Sequence, residues 1–150
     1  MSVCYNDTSA LAKWYLQEAG SQAFEVFANT IRVRLISRLT TVELRCLLAR
    51  RRRANEIDED YEADAWSTFT THVAAGVFRI EPVPDSRLNE ARELIENLCK
   101  IPLRTLDAIH LAAAQAAQAT LLATADDAQR RAADMLGLEV AYFGSAMRAG

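Results

Sequence analysis

Two hydrophobic periods take turns along the chain. Ile31–Ser37 alternates apolar Ile31, Val33 and Leu35 with Arg32 and Arg34, the period-two pattern of a strand. Between Asp58 and Ala75 the apolar positions Tyr61, Ala65 and Phe69 recur at helical spacing, and Gly76 marks the end of that helix. Extending this reading predicts strands at 2–6, 31–37, 77–80, 120–125 and 138–143. Helices are predicted after Asp7-Thr8-Ser9, after Gly20, from Thr40 onward, over 58–75, over 85–98, over 103–117 and over 126–136. Pro82 and Pro84 force a break, as does Ile101-Pro102. The stretch Leu103–Ala117 is so nearly apolar that it must be buried.

Strands separated by helices, with no tight-hairpin signal between strands, argue for an α/β fold with a mainly parallel central sheet covered on both faces, a three-layer α/β/α sandwich. Such a sheet binds ligands beyond the carboxyl ends of its strands. The chain has 150 residues, 51% hydrophobic and 25% charged, with 5 Gly and 3 Pro, which fits one domain over 1–150 and excludes a disordered or collagen-like chain. Cys4, Cys46 and Cys99 are odd in number and far apart, which gives neither a disulfide framework nor zinc-ribbon spacing and implies a reducing, cytoplasmic setting. No apolar run reaches the ~20 residues of a bilayer span, and Asn6 and Asp7 fall where a signal peptide would be apolar, so no membrane association is expected.

The net charge of -3 hides an uneven distribution. Eight arginines lie between Arg32 and Arg53 against one acid, Glu43, while the next stretch carries Glu56, Asp58, Glu59, Asp60, Glu62 and Asp64 and no base. Arg50, Arg51, Arg52 and Arg53 either end a helix favourably or, with Arg45, form an edge able to contact phosphates.

Four acids fall where the sheet edge is expected. Asp7 follows the first strand and Asp126 follows Leu121–Ala125. Glu43 lies in the first turn of the helix opened by Thr40, and Asp107 shares a helix face with Leu103, Leu106, His110, Leu111 and Ala114. Each has a local alternative. Asp7 and Asp126 suit helix N-caps, Glu43 completes a capping box with Thr40, and Asp107 has Arg104 and His110 as helical neighbours. His110 is one turn from Asp107 and either orients it or serves as a buried structural histidine. Together the four carboxylates, drawn from four regions, repel unless neutralised, and hard divalent cations with oxygen preference do this. A metal-assisted hydrolysis follows, and no Gly-rich phosphate loop, Gly-x-Ser-x-Gly elbow or Cys/His metal pair offers different chemistry.

The strings Tyr5-Asn6-Asp7-Thr8-Ser9-Ala10-Leu11, Thr41-Val42-Glu43-Leu44, Leu103-Arg104-Thr105-Leu106-Asp107-Ala108-Ile109-His110-Leu111-Ala112 and Ala123-Thr124-Ala125-Asp126 resemble the PIN-domain signature. They resemble most the VapC-type toxins of type II toxin–antitoxin pairs. The resemblance implies a PIN-like fold and an endoribonuclease that cleaves RNA with Mg²⁺, or Mn²⁺, held by Asp7, Glu43, Asp107 and Asp126. It implies that Thr8 or Ser9 supports Asp7 and that Thr124 sits beside Asp126. A small antitoxin and a homodimer are the implied partners, with the arginines meeting RNA or antitoxin. Asn6 departs from the apolar residue more usual before the first acid, which is expected to loosen the strand end, and Asp127 competes with Asp126 for the metal-facing role.

The sequence therefore predicts a Mg²⁺-dependent ribonuclease toxin in which Asp7 and Asp107 are the principal ligands, Glu43 completes the site, and Asp126 binds a second metal or positions water. The alternatives are a noncatalytic protein-interaction module, in which the acids cap helices, and a PIN nuclease of RNA processing. An aspartyl phosphotransferase using Asp7 would favour a second acid two residues on, where Ser9 stands.

Overall fold

A computed structural model of the chain describes residues 2–145. Its strands are β1 (Val3–Asn6), β2 (Val33–Ser37), β3 (Arg79–Glu81), β4 (Leu121–Thr124) and β5 (Glu139–Tyr142). Among the described residues they form one sheet in the order β3-β2-β1-β4-β5, with every pair parallel. The helices are α1 (Thr8–Leu11), α2 (Ser21–Thr30), α3 (Arg38–Arg53), α4 (Glu59–Ala74), α5 (Asp85–Asn97), α6 (Thr105–Ala116) and α7 (Asp127–Met135). A 3₁₀ turn, Ala12–Trp14, follows α1.

Alternation along the strands divides the core in two. Cys4, Ile36, Leu121 and Ala123 join one buried cluster with residues of α1 to α4, while Tyr5, Leu35 and Leu122 join another built largely from α5, α6 and α7. A parallel sheet so covered has two apolar faces, which is why its central strands read as short apolar runs. Burial carries the stability of α6, since eight of its residues, from Asp107 to Ala114, are buried in sequence.

The strand order also creates the site. The chain leaves β1 toward β2 on one side and leaves β4 toward β5 on the other. The connections diverge beyond the carboxyl ends of these adjacent strands, and a crevice opens there. In-register pairing of Asn6 with Ala123 brings Asp7 and Asp126 to that edge together, and the Asp7 amide donates to the Ala123 carbonyl at 2.9 Å.

Several local expectations are corrected. The helix expected from Thr40 begins at Arg38, because the Ser37 hydroxyl accepts from the Leu39 amide and caps it. Glu43 thus lies in the second turn, and no Thr40–Glu43 capping box forms; Thr40 is buried and its hydroxyl meets that of Thr8 at 3.0 Å. The first helix stops at Leu11 and runs on only as the 3₁₀ turn. Asn6 does not loosen β1. It is buried, and its Nδ2 donates to the Leu35 carbonyl at 3.2 Å, so it ties β1 to β2. Gly76 stands at φ 73° after α4, and amides of Gly76 and Val77 return to the carbonyls of Val73 and His72. That left-handed position is the reason for a glycine there.

Candidate active site

Asp7, Glu43, Asp107 and Asp126 line one groove of about 330 Å³, with Arg50, Arg104 and Leu106 also on its walls. The four expected acids are therefore brought to one place, each by a different element. Asp7 directly follows β1, Glu43 projects from α3, Asp107 stands in the first turn of α6, and Asp126 caps α7.

Each carboxylate has its own holders. Asp7 occupies the N-cap position of α1 but caps nothing with its side chain; its Oδ2 accepts from the Ser9 hydroxyl at 2.5 Å and from Thr124 at 3.0 Å. The local alternative for Asp7 thus fails, and Ser9 rather than Thr8 is its support. Thr8 instead donates to Glu43 Oε1 at 2.9 Å. Thr124 does sit beside Asp126, accepting from its backbone amide at 3.0 Å, and so joins the two strand-end acids. Asp126 itself does cap, with Oδ1 accepting from the Gln129 amide at 2.9 Å.

Asp107 is buried on α6, as expected of a carboxylate on the apolar face of a buried helix. Because α6 begins at Thr105, Asp107 falls at its third residue and reaches back to the Arg104 amide at 3.2 Å, half of a capping box. Leu106, placed on the same apolar face by the sequence, is 43% exposed at the groove. The Arg104 guanidinium bridges two acids, with Nε 3.4 Å from Asp107 Oδ2 and a terminal nitrogen 3.4 Å from Asp126 Oδ2. From the buried side the Gln129 amide Nε2 donates to Asp107 Oδ1 at 3.4 Å.

His110 is the residue whose role the sequence understated. It is buried, its Nε2 lies 2.6 Å from Glu43 Oε1 and 3.6 Å from Asp7 Oδ1, and its Nδ1 meets the Tyr5 hydroxyl at 2.7 Å. Burial opposes charge on the ring, but the bond to Glu43 and the charges of Asp7, Glu43 and Asp107 outweigh it and raise its pKa. Burial likewise opposes charge on Glu43, and the hydrogen bonds from His110 and Thr8, with the His110 charge, outweigh it and lower its pKa. Tyr5 stays a neutral phenol, pushed well above its usual range by burial and then by Asp7.

The arginines separate into two groups. Arg45 pairs with Glu62 at 2.8 Å, Arg51 with Glu56 at 2.7 Å and Glu18 at 2.9 Å, and Arg52 with Glu62 and Glu59 at 3.7 and 3.9 Å. The acidic stretch after α3 thus folds back on the basic one. Among the described residues Arg50 and Arg53 have no ion pair, and Arg50 faces the groove. Asp127 turns to Arg130 at 2.5 Å, which leaves Asp126 as the acid on the groove wall.

These donors fit a hard divalent cation: four carboxylates share one groove, and the arginines on its walls are Arg50 and Arg104. As the side chains stand, no three His, Cys, Asp or Glu among the described residues close on one point as a finished cage. Arg104, whose side chain is 79% exposed, is the cationic group that bridges Asp107 and Asp126 at the groove.

A parallel sheet with acids gathered at its switch point defines the class. Residues 4–135 match the PIN domain family, and the chain belongs to that family. It is 32% identical over 143 residues to Ribonuclease VapC46 of Mycobacterium tuberculosis H37Rv, covering 93% of this chain and 97% of that protein. In fold it is similar to VapC20 of Mycobacterium tuberculosis, a Sarcin-Ricin loop cleaving toxin, with a TM-score of 0.68 at 20% identity over 86% of this chain and 94% of that one. It is also similar to VapBC2 from Rickettsia felis bound to a DNA fragment from its promoter, with a TM-score of 0.65 at 14% identity over 94% and 98% of the two chains. Among the described residues no helix is long and apolar enough to cross a membrane.

Proposed function

We propose that the chain is a divalent-metal-dependent endoribonuclease that hydrolyses RNA phosphodiesters in the cytoplasm and acts as the toxin of a toxin–antitoxin pair, its 150 residues forming one PIN-like domain. The observation that carries this reading is the gathering of Asp7, Glu43, Asp107 and Asp126 in one groove at the switch point. Asp7 and Asp107 are the principal ligands, Glu43 completes the set, and Asp126 holds a second ion or positions water. A bound Mg²⁺ or Mn²⁺ would supply a water of lowered pKa and a counter-charge for the phosphodiester oxygens.

The chain's own groups do the rest. Ser9 and Thr124 fix Asp7 through Oδ2 and keep Oδ1 free of hydroxyl donors. His110 orients Glu43, and when protonated it offsets the repulsion of the acids in front of it, whose charges raise its pKa. Arg50 and Arg104 stand at the groove and suit RNA phosphates. The paired Arg45, Arg51 and Arg52, with the unpaired Arg53, extend a charged α3–α4 face able to meet either RNA or antitoxin carboxylates.

Similarity to VapC46 and, in fold, to VapBC2 and to a toxin–antitoxin complex from Klebsiella pneumoniae supports an antitoxin as partner. Beside the groove Val42 is 69% exposed and, with Ala49 and Trp66, lines an apolar hollow suited to an antitoxin segment. Leu88 and Ile95, seven residues apart on α5 and 50% and 40% exposed, suit a second copy of this chain in a homodimer. The noncatalytic alternative accounts for Asp126, which caps α7, but not for Asp7, which caps nothing.

Cleavage of RNA by the purified chain tests the proposal. Activity that needs Mg²⁺ or Mn²⁺, stops with chelator and is lost in Asp7→Ala supports it; cleavage indifferent to chelator rejects the metal.

A further inference from the structure

Gln129 lies in the first turn of α7 and is fully buried. Burying a primary amide is costly unless its polar atoms are bonded. Here Oε1 has no partner among the described residues, and the one side-chain bond is from Nε2 to Asp107 Oδ1 at 3.4 Å. Further along the same buried face of α7 stand Ala132 and Ala133, which belong to the apolar core with Ala108 and Leu111. A methionine or leucine would fill that position without an orphaned oxygen, so packing alone does not explain the amide.

The contacts supply an explanation. The Gln129 backbone amide donates to Asp126 Oδ1 at 2.9 Å while its side chain donates to Asp107 Oδ1, so one residue grips both acids from inside the protein. Arg104 bridges the same two acids from outside, on Oδ2 of each, but its side chain is 79% exposed and free to leave. Asp7 has Ser9 and Thr124 as fixed holders, and Glu43 has Thr8 and His110. Once Arg104 departs, Gln129 is the side chain that still restrains Asp107.

We propose that Gln129 is a positioning residue for the candidate metal site, setting Asp107 against Asp126 so that both present their oxygens to the groove. This rests on the metal-nuclease reading. A side chain that orients a ligand without touching the ion contributes about ten- to a hundredfold in metal affinity or turnover. Its removal therefore has a signature distinct from a packing defect: the fold is kept while the metal is lost.

Mn²⁺ binding to the full chain, followed by calorimetry, tests this on wild type, Gln129→Met, Gln129→Leu and Asp107→Asn, with melting temperature in chelator measured alongside. Wild type binds Mn²⁺. Gln129→Met melts at or above the wild-type temperature, binds Mn²⁺ about tenfold or more weakly, and shows a lower kcat with KM for RNA unchanged. Folded Gln129 variants with Mn²⁺ affinity within about twofold of wild type would overturn the role, since the loss of a ligand-orienting side chain costs about tenfold or more. Should neither variant fold, the Gln129 side-chain amide resonances of the wild-type chain give the answer: they shift on addition of Mg²⁺, and unmoved resonances under saturating Mg²⁺ reject the proposal. A wild-type chain that binds no Mn²⁺ rejects the metal-nuclease reading itself.

Discussion

His110 Nε2 lies 2.6 Å from Glu43 Oε1 across 67 positions of sequence, and the opposite ring nitrogen meets the Tyr5 hydroxyl at 2.7 Å. The ring therefore links α6 to α3 and to β1 beneath the groove. A protonated imidazole donates from both nitrogens and offsets part of the charge of the acids around it.

That pair gives the metal-free protein a pH signature. Glu43 is held below its ordinary 4.5, so its contribution is present above that pH and lost as pH falls through the folded-state value. His110 is held above its ordinary 6.5, so its contribution is full below that pH and lost as pH rises through the folded-state value. The groups facing the ring are Tyr5, Asp7, Glu43 and Asp107, and the last three carboxylates favour its charged form. In chelator, thermal melting shows both contributions complete between pH 4.5 and 6.5, with a decline above that window. His110→Gln melts lower and loses the alkaline decline.

Asp107→Asn separates chemistry from stability. The asparagine keeps an oxygen for the Arg104 amide but removes one of four carboxylates from the groove. Cleavage falls by more than about a hundredfold, as expected for a ligand whose supporting neighbours alone are worth that much. The metal-free melting temperature is unchanged or raised, because like-charge repulsion is relieved. A matching fall in both quantities would mark Asp107 as a structural residue.

Arg104→Ala removes the internal cation that bridges Asp107 and Asp126. Exposed pairs of this kind are worth about 0.2–1 kcal/mol, so Mn²⁺ affinity measured by calorimetry rises by a few fold at most and the fold is kept. Weaker Mn²⁺ binding in this variant would contradict the competition between arginine and metal.

Arg50 and Arg51 are neighbours with different expected roles. Arg51→Ala breaks pairs with Glu18 and Glu56 and lowers stability by up to about 1 kcal/mol, with little change in RNA affinity. Arg50→Ala leaves stability alone, weakens RNA binding and reduces its salt dependence by about one unit of slope. Binding titrations at several salt concentrations, on a catalytically silent background, check both.

How far the sequence disclosed this site follows from the range of each signal. Asp7 and Asp126 were legible because each acid lies within two residues of the carboxyl end of a strand, and parallel topology then places both at one edge. The start of α3 was not: Ser37 and Thr40 are both competent caps three residues apart, and the tertiary burial of Thr40 against Thr8 decides between them. Arg45, Arg51 and Arg52 looked like an open basic edge because their acidic partners come from Glu18 and from the segment after α3, joined only by folding. His110 and Gln129 carry no local signal for their roles, since each acts across elements on an acid distant in sequence.

On the metal-nuclease proposal, carboxylates from separate chain regions share a divalent cation in this groove. Anomalous diffraction from crystals of the wild-type chain grown with Mn²⁺ tests it most directly. A peak is expected in the groove, within ligand distance of Asp7 and of Asp107 or Asp126. Full-occupancy Mn²⁺ elsewhere, with the groove empty at saturating concentration, would contradict it.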